Sequence, residues 1–489
     1  MLAWVRLRSI VGLVAMAVSL APDARAACDL EPDREREPAS VVLVVADTVR
    51  RDRTSLHGGP ARTPHLDALA TDHWAFERAS SQAPWTKPSI ATLFTSLHPS
   101  QHRVSSDPQL QGAFGVRRSE EITEADVLSS GFHTLAESAR QAGLRTGAIV
   151  PNPWMVRRYG FAQGFDHYDD SLASWEAGGG EVTRAALAWL ADVPEGQPFL
   201  LYVHYMDAHR PYARLSVEEA RAVRPAPDDR RTLRPRDVAF AKNHMRLADG
   251  RTFGEAGIEP SPALLALAYD RGVEAFDAAL GGLLAGLRAR GDWSRTAMVV
   301  TSDHGEGLFE HGYGNHGGGL FEVETAIPLV VRWPGGRPER ARPSCGVGLV
   351  DVMPTLCDGL GLSCPAHLAG RSIFAAGEPR PGVVSEGVMT RPENRALRTA
   401  RHKIVYEPQG RRDARTDVGP WSLFDLQDDP GEQMGLVVGD SVAPAYRELF
   451  DRMKTQLRDA VPAFAAPSRE RAPVDPALEE RLRALGYTE

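Results

Sequence analysis

The sequence predicts an α/β fold in which a large, mixed but mostly parallel sheet is flanked by helices, followed by a smaller antiparallel sheet with a packing helix. Three observations carry this. From Ser40 to about Phe374, short β-branched apolar runs alternate with amphipathic stretches, the pattern of a parallel sheet whose crossovers are helices. Two of those runs stop abruptly at an acid, in SVVLVVADTVRRD (40–52) and AMVVTSDHGEGLFEHG (297–312). After about Gly377 the texture changes to short runs separated by turn residues.

Strands are expected at 41–46, 148–150, 199–203, 297–301 and 328–332, where near-continuous apolar runs mark strands covered on both faces. Helices are expected at 64–72, 133–142, 182–190 and 263–290 from their 3.6-residue periodicity. The stretch 218–257 is polar and rich in arginine and proline, and reads as a long surface excursion near the site. Beyond it, PGVVSE, HKIVYE and WSLFDL read as antiparallel strands and 442–459 as a helix. The division is then a signal peptide at 1–26, a catalytic α/β domain at 38–376 and a C-terminal antiparallel-sheet subdomain with terminal helices at 377–489.

The signal peptide rests on Arg6 and Arg8, an apolar run at 10–21 and the small-residue pattern Ala24-Arg25-Ala26, and it implies a periplasmic or secreted protein. The run is too short to span a bilayer, and no later one resembles a span. A lipid-modified Cys28 is the rival reading; Arg25, three residues ahead, fits it poorly. In an oxidising compartment the four cysteines allow three connectivities. Cys357 and Cys364 form the nearest local pair, and Cys28 with Cys345 would complete the set. None lies in a CxxC pair of zinc-thiolate type. At 43% hydrophobic and 25% charged residues the chain is an ordinary globular protein, and its net charge of -8 gives no reason to expect a nucleic-acid partner.

An ionised carboxylate at the end of a buried strand is costly unless it is paired or bound to a metal. Ligands of open α/β sheets sit at those carboxyl ends. Asp47, Asp303 and His304 therefore point to a shared metal site. In APWTKPSIATLFTSL (83–97), Pro88 and the apolar periodicity mark a helix start, which puts Thr86 near a helix N-terminus and its anion-attracting N–H groups. The plainer reading makes Thr86 an N-cap. GYGNHG (312–317) spells GxGxxG but does not join a strand to an opening helix, so it is no dinucleotide site; its glycines are expected to let the loop approach a substrate anion. His98, His102 and His311 read as packing or surface residues.

Taken together, ADTVRRD (46–52), TPHLDALA (63–70), PWTKPSIATLFTS (84–96), YVHYMDAHRPY (202–212), TSDHGEGLFEHG (301–312) and SLFDLQDDPGE (422–432) resemble the sulfatase family of the alkaline phosphatase superfamily. The motifs follow the family's order across nearly the whole mature chain. The resemblance implies a large α/β domain with a smaller antiparallel sheet. It also implies a hydrolase, or a transferase that passes the group to an acceptor alcohol, which cleaves sulfate or phosphate esters of small-molecule, glycan or lipid type by a metal-bound nucleophile. Position by position it makes Asp47, Asp303 and His304 metal ligands, with Thr86 as nucleophile and further ligand. His209 and His316 fall where the family contacts the ester's non-bridging or leaving oxygens, and His204 and Asn152 are second-tier candidates. Mn²⁺ or Zn²⁺ suits this mixed oxygen and imidazole set better than Ca²⁺, with Mg²⁺ also possible.

Three positions depart from the family pattern. Sulfatases proper mature a Cys or Ser to formylglycine in C/S-x-P-x-R, and this chain reads Thr86-Lys87-Pro88-Ser89-Ile90. Threonine cannot give the aldehyde, and Ile90 replaces the supporting arginine. Thr48 stands where the first motif has a second aspartate. The pattern is similar to superfamily branches that use an unmodified threonine on phosphate esters, so a phosphoester or phosphodiester is the expected substrate. A true sulfuric ester hydrolase without formylglycine and an inactive binding or scaffold protein are the alternatives.

Overall fold

The computed structural model describes residues 28, 30–32, 37–105, 124–335, 342–377, 380–388, 391–408, 420–438, 441–463 and 465–473. The expected signal peptide lies outside them. The strand Ser40–Ala46 is buried at every residue and forms the middle of the main sheet. It pairs in parallel with Phe199–Tyr205 on one side and Thr296–Ser302 on the other. Arg145–Ile149 and His167–Asp169 extend the first side in parallel, while Leu329–Arg332 and Trp74–Ala75 close the second side in antiparallel fashion. Each expected strand is present; Leu329–Arg332 turns out to be the antiparallel member.

Side-chain alternation along Ser40–Ala46 divides the core in two. Val41, Leu43 and Val45 join one cluster, with Phe94, Leu135, Trp154 and Trp333. Val42, Val44 and Ala46 join the other, with Trp189, Phe276 and Leu280. Each fully buried aliphatic side chain contributes roughly 1.5–3 kcal/mol, so the central strand is firmly held from both faces. The long helix Pro262–Arg288 covers the second face; Ser261 caps it by accepting from the Leu264 N–H, with Pro262 at its first position. Gly272 in mid-helix costs helix stability, and the reason is proximity: a Cβ there would overlap the Asp207 carbonyl in the loop that carries His209.

The second sheet is wholly antiparallel, in the order Val383–Glu386, Arg395–Arg398, His402–Tyr406, Trp421–Asp425, Val437–Val438 and Ser441–Val442. Leu397, Ile404 and Leu423 face the helix Arg447–Asp459 through Leu449, Phe450, Met453 and Leu457. Ala396, Val405 and Phe424 alternate to the opposite face and pack on Leu320, Phe321 and Val323. The helix begins later than the periodicity predicts because Ser441–Val442 pairs as a strand and Pro444–Tyr446 forms a 3₁₀ turn. Cys28 is bridged to Cys345, and Cys357 to Cys364. Among the described residues no helix is long and apolar enough to cross a membrane.

Candidate active site

Strand register creates the acidic corner. Ala46 lies opposite Ser302 in the parallel pair, so the next residue on each strand, Asp47 and Asp303, leaves the sheet beside the other. The chain then turns sharply at Thr48, whose φ of 60° is rare for a β-branched residue. In that turn the Thr48 N–H donates to Asp303 Oδ1 (3.0 Å) and its hydroxyl to the Asp47 carbonyl (2.7 Å). Thr48 thus replaces the family's second aspartate with a residue that holds the turn.

Each carboxylate has one oxygen occupied and one bare. Asp47 Oδ2 accepts from Asn152 Nδ2 (2.7 Å) and His204 Nε2 (3.0 Å), and Asp303 Oδ1 accepts from the Thr48 and His304 N–H groups (3.0 and 2.8 Å). Asp47 Oδ1 and Asp303 Oδ2 are buried without any hydrogen-bond partner. His304 Nδ1 donates to the Gly305 carbonyl (2.8 Å), which leaves an unprotonated Nε2 at 4.0 Å from Asp47 Oδ1 and 3.4 Å from Asp303 Oδ2. Burial lowers the His304 pKa, keeping the ring neutral. Burial and the neighbouring Asp47 charge push Asp303 up to about 6. Burial opposes the Asp47 charge as well, but the hydrogen bond that His204 donates helps to hold the acid well below the usual carboxylate range. Two carboxylate oxygens without hydrogen-bond partners and the unprotonated Nε2 of His304, within 4.8 Å of one another, are a donor set fitted to a divalent cation.

Thr86 completes the corner. The helix is Thr86–Thr95 and its N-cap is Trp85, so Thr86 is the first helical residue and the N-cap reading is replaced. Its hydroxyl lies 3.4 Å from Asp47 Oδ2 and 3.3 Å from His304 Nε2, at the helix's positive end. Lys87 is buried with Nζ 3.9 Å from the centre of the Tyr159 ring, and Ile90 belongs to the apolar core.

A wall of histidines faces this corner. The His316 ring is 4.5 Å from that of His304 and 5.4 Å from that of His209. His316 Nδ1 donates to Glu306 Oε2 (2.7 Å), and Tyr212 donates to the other Glu306 oxygen (2.6 Å). Burial works against an imidazolium at His316, but the Glu306 charge wins and raises its pKa. His209 stacks on Trp175 (5.1 Å) and donates from Nδ1 to the Arg210 carbonyl (2.5 Å), and burial keeps it neutral. Of the second-tier pair, His204 is fixed by Tyr202 (2.8 Å), so both it and Asn152 support Asp47 rather than line the wall.

The sequence reading missed Glu306, Trp175 and Tyr212 as site residues. Glu306 offered one signal, an acid set among glycines three residues past Asp303; Trp175 offered none. Gly314 is pressed against Phe309, and Gly318 and Gly319 against Tyr313, so the loop packs on itself. His311 stacks on Phe321 (3.7 Å), and His102 bonds Thr92 (3.1 Å). The 218–257 stretch lies beside the site, with Arg231 and Arg234 donating to the Leu308 and Gly312 carbonyls. It is more than a surface excursion, since Phe240, Met245, Leu247 and Phe253 are buried.

An acidic corner at neighbouring strand ends, beneath a hydroxyl at a helix N-terminus, places the chain among α/β proteins of the alkaline phosphatase superfamily. More narrowly, the chain belongs to the sulfatase family, whose model, described as Sulfatase, matches residues 39–362. Bovine arylsulfatase K is 28% identical over 199 residues, 38% of this chain and 34% of that protein. The matched segment thus spans about a third of that relative's length. Human N-sulphoglucosamine sulphohydrolase is 28% identical over 372 residues, covering 70% of this chain and 67% of that protein. In three dimensions, a protein solved in complex with its substrate D-glucosamine-2-N,6-O-disulfate superposes with a TM-score of 0.65 at 18% identity, over 86% of this chain and 98% of that one. The phosphonate monoester hydrolase of Agrobacterium radiobacter gives 0.60 at 20% identity, over 86% and 95%. These two likenesses show the fold.

Proposed function

We propose that this protein is a divalent-metal-dependent hydrolase of phosphoric or sulfuric esters in which Thr86 is the nucleophile, with a phosphoester or phosphodiester as the preferred substrate. The observation that carries the reading is the convergence of Asp47 Oδ1, Asp303 Oδ2 and His304 Nε2 beneath the Thr86 hydroxyl. A cation held by those three residues, Mn²⁺ or Zn²⁺ by the donor set, supplies the charge that acidifies the hydroxyl. Thr86 Oγ1 gives up its proton toward Asp47 Oδ2, to which it donates (3.4 Å), and forms a bond to the ester's central atom as the bond to the leaving oxygen breaks. His316, kept protonated by Glu306, gives that oxygen its proton, a role worth roughly 10²–10⁴ in rate. His209, neutral with Nε2 unprotonated, takes a proton from the water that cleaves the threonine ester. The helix N-terminus at Thr86 binds the anionic oxygens.

The preference for phosphorus follows from Thr86. Without an aldehyde, the covalent ester must be released by attack of water at its central atom, as phosphoryl enzymes do. The sulfuric reading has its own support in relatives named for sulfate chemistry, and a sugar ester fits the neighbour solved with a glucosamine sulfate. Two cysteine bridges support an extracytoplasmic site of action. Purified protein loaded with Mn²⁺ or Zn²⁺ and offered aryl sulfate, aryl phosphate, diester and phosphonate substrates tests the proposal. Fastest turnover of a phosphorus substrate, abolished in Thr86→Ala, is expected. Preference for the sulfate selects the second reading, and inertness toward all four selects the scaffold.

A further inference from the structure

His316 follows a short antiparallel pair, Gly307–Leu308 with Gly314–Asn315, which holds the loop up to Asn315. The residues on either side of it, Asn315 and Gly317, are both left-handed, with φ of 87° and 78°. A further restraint, reaching past His316, comes from one buried side chain outside the loop. Glu324 accepts from the Tyr313 hydroxyl through Oε1 and from the Gly318 N–H through Oε2 (3.2 Å), so a single carboxyl group fastens the loop on both sides of His316. The Glu324 carbonyl also accepts from the Gly305 N–H (2.8 Å), next to His304.

The short helix that carries it, Glu322–Thr325, is gripped in turn by the C-terminal sheet. Lys403 donates to Glu322 (3.0 Å) and Thr325 (3.3 Å) and pairs with Glu432 (3.1 Å), while Phe321 and Val323 pack on Ala396, Val405 and Phe424. We propose that Glu324 is a positioning residue that keeps His316 on Glu306 and over the acidic corner, and that the C-terminal sheet serves catalysis by bracing it. The catalytic part rests on the role given to His316 above; the holding of the loop does not.

Two measurements separate these parts. Amide exchange of the 313–318 segment should quicken at least about tenfold in Glu324→Ala, whose overall folding is checked by its melting curve, and more mildly in Tyr313→Phe. Glu324→Gln should keep the protection, because its amide oxygen accepts from Gly318 and its NH₂ donates to the Tyr313 oxygen. On an ester with an alkyl leaving group, Glu324→Ala should lower kcat roughly 10- to 100-fold, and the double variant with His316→Ala should be no slower than His316→Ala alone. Unchanged exchange in Glu324→Ala, or losses that multiply in the double variant, would overturn the proposal. Quickened exchange in an enzyme that turns over no ester would uphold the fastening and defeat the hydrolase reading instead.

Discussion

The two halves of the site are built by different means. The acidic corner stands on adjacent strand ends at the centre of the sheet, where register alone sets Asp47 beside Asp303. The histidine wall stands on loops and is held by other side chains: Trp175 under His209, Glu306 and Tyr212 beside His316, and Glu324 behind its loop. The corner owes its geometry to the backbone, and the wall owes its geometry to side chains. Conservative substitution should therefore switch the corner off without moving it, whereas in the wall it should trim the rate and loosen the loop.

The largest effect belongs to Thr86→Ala, expected to lower kcat roughly 10³-fold or more, the scale of losing a covalent nucleophile, with metal content unchanged. Loss of bound metal along with activity would show that Thr86 is chiefly a ligand. Next comes Asp303→Asn, whose amide oxygen can still accept from the Thr48 and His304 N–H groups while its NH₂ replaces the bare oxygen. The melting temperature should hold while metal affinity falls further than the roughly 10–100-fold expected for Asn152→Ala, which removes only a donor that orients Asp47. Titration calorimetry with Mn²⁺ or Zn²⁺ ranks the two variants. Equal losses would mean that Asp303 is no ligand.

The wall should yield less. Glu306→Gln keeps a partner for Tyr212 and removes the charge that favours the His316 imidazolium, so turnover of alkyl esters should fall on the order of 10²-fold while esters with acidic aryl leaving groups change little. A uniform loss across a leaving-group series would deny His316 the role of general acid.

The same contrast explains what the sequence disclosed. Asp47, Asp303 and His304 are legible as a cluster because an apolar run ending in a charge is a local pattern that implies a strand end, whereas around Thr86 the local pattern reads as an N-cap and only the family resemblance singles it out. The wall's supports follow no periodic pattern: Glu306 and Glu324 lie within ten residues of His316 yet on separate turns, and nothing near Trp175 announces His209 as its partner. The strand Arg395–Arg398 escaped for a related reason. Only Ala396 and Leu397 are apolar, and they serve opposite faces, so no alternation shows until the helix Arg447–Asp459 and Phe321 cover the two sides.

The smallest effect is in stability, and it probes the wall's softest member. Burial pushes Glu324 up to about 8 from its ordinary 4.5, against the Tyr313 hydrogen bond that favours ionisation. A carboxyl whose folded pKa is raised holds its proton more tightly in the folded chain, so its contribution is whole below the unfolded value and is lost as pH rises through the folded one. Relative to Glu324→Gln, which cannot ionise, the wild-type protein should lose stability between about pH 4.5 and 8 and change no further above that. In a chain of this length the gap should amount to a few degrees in melting temperature, read from paired melts across that range. A gap independent of pH would mean that Glu324 is already ionised in the folded protein. The Tyr313 hydroxyl and the Gly318 N–H would then suffice to stabilise a buried charge, and the His316 loop would be held as firmly as the corner it faces.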